Sequence, residues 1–225
     1  MITRPYVTLN CAISLDGCLD DTAAERLLLS GAEDFDRVDD LRARSDGILV
    51  GANTIRRDDP RLVIRSERRR STRRAAGLAP DPMKITITGG GAALDPESQF
   101  FTAGDAPRLV YAATPAAPAL TTALRERAEV IDAGTGVDLE RVLTDLAGRG
   151  CGRLLVEGGG TVLTQFLARD LFDELHVAVA PLLVGDPAAP RFVPALDRPL
   201  YDRLELTEVR RVGTIALLRY RPRPV

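Results

Sequence analysis

"RLLVEGGGTVLTQFLARD" (residues 153–170) decides the fold. Leu154, Leu155 and Val156 form a short apolar run of the kind a buried strand needs. Gly158, Gly159 and Gly160 interrupt it. Val162, Leu163, Phe166 and Leu167 then recur at the spacing of one helix face. Strand, glycine turn and helix in this order form the building unit of an α/β sheet. Glycines let a backbone approach a ligand closely, and a helix start offers unpaired N–H groups with the positive end of the helix dipole. Gly158, Gly159, Gly160 and Thr161 are therefore candidates to hold a pyrophosphate. The spacing is not GxGxxG, so it is not the usual Rossmann fingerprint. Glu157 would repel the same phosphate. Its partner has to be an uncharged polar group, such as a hydroxyl, an amino group or a polar ring edge, unless it only caps or pairs locally. A dinucleotide beside a hydrogen-bonding substrate fits both demands.

The same alternation extends outward. "YVTLNCAI" (6–13), "GILVG" (47–51), "KITIT" (84–88), "RLVYAA" (108–113) and "EVIDAG" (129–134) read as strands, several ending in glycine-bearing turns. Residues 31–45, 119–128 and 137–150 read as helices, the first with acids early and arginine late, the last closed by glycine. "ANTIRRDDPRL" (52–62) reads as a short helix or turn stopped by Pro60. "DELHVAVAPLLVG" (173–185) and "RLELTEVRRVGTIALLRYR" (203–221) read as alternating strands, with "VGT" marking a final hairpin. The expected fold is α/β, with a mostly parallel central sheet and antiparallel C-terminal strands. No repeat or linker divides the chain, so residues 1–225 read as a single domain. Residues 65–82, "RSERRRSTRRAAGLAPDP", read as a solvated basic surface loop, the alternative being a patch for a polyanion or a ligand phosphate.

Composition narrows the function. A net charge of −2 over 225 residues gives no bulk electrostatic case for nucleic acid, and the absence of Trp argues against a base-stacking platform. No apolar run reaches the length of a membrane span, and the N-terminus lacks signal-peptide features. The expected location is the cytoplasm. Cys11, Cys18 and Cys151 are scattered and odd in number, so they form neither a disulfide framework nor a CxxC pair. The single histidine, His176, lies in a strand pattern and leaves no set of ligands for zinc; no metal is expected.

"TLNCAISLDG" (8–17), "LRARSDGILVGANTIRRDDPRLVIR" (41–65), "LLVEGGGTVLTQFL" (154–167) and "DELHVAVAPLLVG" together resemble the riboflavin-biosynthesis reductases of the RibD C-terminal family. The resemblance implies a dihydrofolate-reductase-like three-layer fold, and an NADPH-dependent enzyme that reduces the ribosyl group of a (di)aminopyrimidine 5′-phosphate to ribityl. The HxE and PCxxC motifs of the deaminase that often accompanies such reductases are absent, so the expected layout is that of the stand-alone enzymes. By position, Cys11, Thr54, Asp58, Thr88, Gly89 and the run Gly158, Gly159, Gly160, Thr161, Val162 and Leu163 match cofactor contacts. Arg42, Leu62, Arg65 and Glu157 match substrate contacts, and Glu157, or an ordered water, is the candidate proton donor. Arginine forks suit a 5′-phosphate. Arg56, Arg57 and the 65–74 cluster offer partners for a 2′-phosphate. The resemblance also implies a homodimer through the C-terminal strands.

Two departures from the family stand out, at three positions. Cys18 stands where relatives commonly carry Lys or Arg, and Arg26 and Leu28 stand where they often carry Ser and Trp. Both changes fall on the substrate side. They leave open which pyrimidine is reduced, and leave as an alternative an NADPH reductase of this fold acting on a pterin-like or secondary-metabolite substrate.

Overall fold

A computed structural model describes residues 3–90, 93–196 and 199–223. The chain divides into two compact units interleaved along the sequence: Met1–Tyr6 with Asp39–Leu155, and Val7–Val38 with Val156–Val225.

In the first unit the strands are β2 (Gly47–Gly51), β3 (Met83–Thr88), β4 (Arg108–Ala112), β5 (Glu129–Asp132) and β6 (Arg153–Val156), in the order β5-β4-β3-β2-β6. β2, β3, β4 and β5 pair in parallel, with Gly47 opposite Met83 and Lys84 opposite Arg108. All five residues of β2 and the last five of β3 are buried, as continuous apolar strands covered on both faces must be. Gly47 is required here: a Cβ would stand 2.7 Å from Ile85 Cδ1 and 3.3 Å from Cys151 Sγ. Helices α2 (Ala52–Asp58), α4 (Gln99–Thr102) and α5 (Ala117–Leu124) supply Ile55, Phe100, Phe101, Leu120 and Leu124 to a core shared with Ile48, Val50 and Val110. Each such side chain contributes about 1.5–3 kcal/mol by leaving water. α6 (Leu139–Gly148) is capped by Asp138, which accepts from the Glu140 and Arg141 amides, and ends at Gly150, whose φ of +84° the helix stop requires.

The short α4 had no signature in the sequence. Its carbonyl end is closed by Lys84, fully buried on β3, whose Nζ donates to Phe100 O at 3.1 Å and Ala103 O at 2.6 Å. Burial, with the nearby Arg108 charge, pulls the Lys84 amine down to about 8.

Residues 65–82 correct the loop expectation. Glu67–Ala75 form a helix, α3, with Ser66 as N-cap. Not all of its arginines are solvated: Arg73 is buried and donates to Ala79 O, Ala43 O and Ser45 O at 2.8–2.9 Å. A guanidinium that closes three carbonyls folds a segment that hydrophobic periodicity alone would leave as a loop.

In the second unit β1 (Tyr6–Ile13), β7 (Glu174–Val179), β9 (Ile215–Pro222) and β8 (Leu204–Val212) lie in the order β1-β7-β9-β8. β1 and β7 are parallel; β7 with β9 and β9 with β8 are antiparallel, as expected, and Val212 pairs Ile215 across the Gly213–Thr214 turn. The expected alternation of β7 is corrected. Four consecutive residues, Leu175 to Ala178, are buried, because this strand is central and covered on both sides. β8 departs in the other direction: it is an edge strand, exposed along most of its length. α7 (Gly160–Ala168) buries Val162, Leu163, Phe166 and Leu167, the face read from the sequence.

Candidate active site

The residues singled out from the sequence fall in both units. In the first, Thr54 and Asp58 lie half-buried on α2. Thr88, buried, ends β3, and its Oγ1 accepts from the Gly90 amide at 3.3 Å. Gly89 follows it, exposed, with nothing within 4 Å of where a Cβ would stand. Gly91, the last residue of that glycine run, lies outside the described residues.

Arg42, Leu62 and Arg65 are brought together by backbone contacts. The last turn of α1 (Ala32–Ala43) carries Arg42, whose Nη1 donates to Val63 O at 3.1 Å. Leu62 adopts a left-handed φ of +47° and sinks its side chain into the core. The amides of Ile64, Arg65 and Ser66 are held by two buried carboxylates. Ile64 N donates to Asp81 Oδ1 at 2.8 Å, Arg65 N to Asp39 Oδ1 at 2.5 Å, and Ser66 N to Asp39 Oδ2 at 3.1 Å. Arg69 Nη1 lies 3.0 Å from Asp39 Oδ2, and Arg70 Nη2 lies 3.2 Å from Asp81 Oδ2. The Arg65 side chain is exposed at the start of α3. Sequence reading missed Asp39 and Asp81, because an acid in an amphipathic helix and an acid between two prolines both look solvated.

In the second unit, Glu157 follows β6 half-buried, and Gly158 (φ +123°) turns the chain into α7, where Gly159 stands at the N-cap with no side chain to close the helix end. Nothing lies within 4 Å of a Cβ position at Gly158, whereas at Gly160 a Cβ would stand 2.3 Å from Arg191 O. Gly160 is thus enforced by packing, while Gly158 opens onto space. Thr161 is exposed. Val162 and Leu163 bury their side chains and turn their amides to Gly159 O at 3.0 and 3.1 Å, so of the run only Thr161 is exposed, with Glu157, Gly159 and Gly160 half-buried. Cys11, on β1, is buried; its Sγ lies 3.9 Å from His176 O, and burial pushes the thiol up to about 12, so it remains protonated.

The "SLDG" turn is built by side chains. Ser14 Oγ donates to Asp16 Oδ1 at 2.6 Å and accepts from Cys18 N at 2.9 Å; Val184 N and Gly185 N also donate to Asp16. The Ser14 hydroxyl and these amides hold the Asp16 carboxyl well below the usual carboxylate range. Cys18 is fully buried and bridges Arg191, whose Nη2 donates to Asp16 O at 2.6 Å. The thiol at position 18 therefore presents nothing outward, and a guanidinium stands at the same turn from a residue 173 positions later in the sequence (191 − 18). Nothing in the local pattern around Arg191 marks it. Arg26, on the same connection, is exposed. Among the described residues no His, Cys, Asp and Glu group is arranged to hold a metal ion, and no helix is long and apolar enough to cross a membrane.

A mostly parallel α/β sheet with antiparallel C-terminal strands is a dihydrofolate-reductase-like fold. Dihydrofolate reductase from Enterococcus faecalis superposes over 97% of this chain and 99% of its own, with a TM-score of 0.54 and 12% identity. More particularly, the chain belongs to the RibD C-terminal domain family, whose pattern it matches over residues 5–218. It is 39% identical over 183 residues to the 2,5-diamino-6-ribosylamino-4(3H)-pyrimidinone 5′-phosphate reductase of Methanothermobacter thermautotrophicus, covering 81% of this chain and 80% of that one. A pyrimidine reductase-like protein from Corynebacterium diphtheriae shares the fold, with a TM-score of 0.82 at 23% identity over all of this chain and 94% of the other. Against the deaminase/reductase of Thermotoga maritima, the chain spans 57% of that protein's length.

Proposed function

We propose that the chain is an NADPH-dependent reductase of riboflavin biosynthesis, converting the ribosyl group of a (di)aminopyrimidine 5′-phosphate to ribityl. The observation that carries this reading is the glycine turn into α7 directly after Glu157, with nothing crowding a Cβ position at Gly158 and no side chain capping the helix at Gly159, in a chain of this family. The relative named for the reduction of the diaminopyrimidinone phosphate favours the diamino form as substrate.

The residues suit the cofactor. The uncapped start of α7 offers amides and a positive dipole end to a pyrophosphate, and the empty space beside Gly158 and Gly89 admits a close ligand. In this reading Gly158, Gly159, Gly160 and Thr161 hold the pyrophosphate, and Thr54, Asp58, Thr88 and Gly89 make further cofactor contacts. Cys11 contributes through β1 backbone, its thiol being neutral and buried. When bound, NADPH supplies the hydride that reduces C1′, and a proton balances it at the nitrogen of the opened ribosylamine. Glu157 delivers that proton or orients the sugar hydroxyls. Arg42 and Arg65 take the 5′-phosphate, and Leu62 fixes the backbone between them. We place the enzyme in the cytoplasm as a homodimer. The exposed edge strand β8, with Leu206 and Val209 turned to solvent, supports pairing through the C-terminal strands.

Titration with NADPH and NADH, followed by nicotinamide fluorescence, tests the cofactor half. Saturable binding with NADPH the tighter is expected; no saturable binding of either dinucleotide overturns the reading.

A further inference from the structure

The proposed function assigns the substrate phosphate to Arg65 but leaves open what aims that side chain. Residues 62–66 are irregular, and an unheld backbone there would carry Arg65 through many positions, at an entropy cost when a ligand is bound. Here the backbone on both sides of the Arg65 side chain is held by charge. Arg42 holds Val63 O, Asp81 holds Ile64 N, and Asp39 holds Arg65 N and Ser66 N together. Asp39 is 4% exposed and Asp81 2% exposed, so neither carboxylate is there for solubility. Hydrogen bonds from backbone amides to a buried carboxylate are among the stronger ones a protein makes. Asp39 is fixed in turn by Arg69 of α3 and projects from α1, so one carboxylate ties two helices to the backbone at Arg65.

We propose that Asp39 is a positioning residue for substrate selection: by clamping the amides of Arg65 and Ser66 it fixes the backbone from which the Arg65 side chain reaches a phosphate monoester on the substrate. Asp81 supports the same segment one residue earlier. The inference rests on the reading of Arg65 as a phosphate contact. Asp39 itself touches no ligand, and its effect passes through Arg65.

The test compares wild type, Asp39→Asn, Arg65→Ala and the double variant, using the ribosylaminopyrimidine with and without its 5′-phosphate. Asp39→Asn keeps the shape but leaves one amide facing an NH2 group. It is expected to raise KM for the phosphorylated substrate about tenfold, with kcat and KM for NADPH changed less than about twofold. The dephosphorylated substrate should show no such change. In the Arg65→Ala background Asp39→Asn should add little, because both act on one contact. Asp39→Glu, which keeps the charge and displaces the carboxylate, is read the same way and guards against a variant that fails to fold. An unchanged KM in both Asp39 variants, or equal losses on both substrates, or full additivity with Arg65→Ala, overturns the proposal. If the wild type itself does not distinguish the two substrates, it is the reading of Arg65 that fails.

Discussion

At the residue scale, two glycines of one turn do different work. Gly158 is set by its conformation, with φ of +123°, and Gly160 by the carbonyl of Arg191 against it. Gly160→Ala drives a Cβ into backbone that cannot swing away, and it should lower stability by about 1–3 kcal/mol and weaken NADPH binding more than tenfold. Gly89→Ala, with open space around it, should leave stability within about 0.5 kcal/mol. Urea unfolding of the two variants checks the contrast. The triplet was legible as the turn into a helix, but which glycine is conformational and which is steric depends on Arg191, distant in sequence.

His176 makes a second residue-scale case. It is 1% exposed, its Nε2 lies 3.0 Å from Glu174 Oε2, and burial pulls the imidazole down to about 4, with Glu174 opposing the shift and Arg219 adding to it. Between pH 6.5 and 4 the unfolded chain takes up a proton that the folded chain refuses. Stability therefore rises with pH across that window and is lost as pH falls through it, by on the order of 3 kcal/mol. Above pH 6.5 this contribution is flat. His176→Gln should unfold with a shallower loss between pH 7 and 4.5 in parallel urea titrations; identical losses would show that His176 is not the responsible group. The alternating pattern around His176 correctly marked a strand residue, though it placed the strand with one face exposed when both are covered.

At the scale of elements, the parallel strands and their helices were legible because apolar runs and helical periods signal burial directly. α3 was not, because what organises it is charge. Arg73 satisfies three carbonyls, and Arg69 and Arg70 answer Asp39 and Asp81. No hydrophobic period records such contacts. Arg73→Ala strands the Ser45 carbonyl in a buried place, frees two part-buried carbonyls, and should cost about 1–3 kcal/mol. Arg73→Lys should recover less than half of that loss, since one ammonium cannot reproduce the planar fork. Thermal unfolding of both variants measures the difference. α4 was missed for a related reason: it is four residues long and depends on the buried Lys84.

At the scale of the whole molecule, the division into two units was not legible. Residues 7–38 and 156–225 gather into one unit through pairs such as Val7 N with Asp173 Oδ2, 166 positions apart, so no linker or shift of composition marks a boundary. The fold class was legible, because it needs only the order of the elements. The site positions came only as what the motifs' resemblance implies; the carboxylates and the arginine that shape the backbone around them had no sequence signal. The central claim is the reaction. Its most direct measurement follows NADPH oxidation by the purified protein with the diamino- and the deaminated ribosylaminopyrimidine 5′-phosphates offered separately, and weighs the product. The account predicts turnover on one of them, the diamino form being favoured, with one NADPH consumed per product heavier by two hydrogens. Saturable NADPH binding without oxidation on either compound would contradict it, and would assign this site to a different substrate.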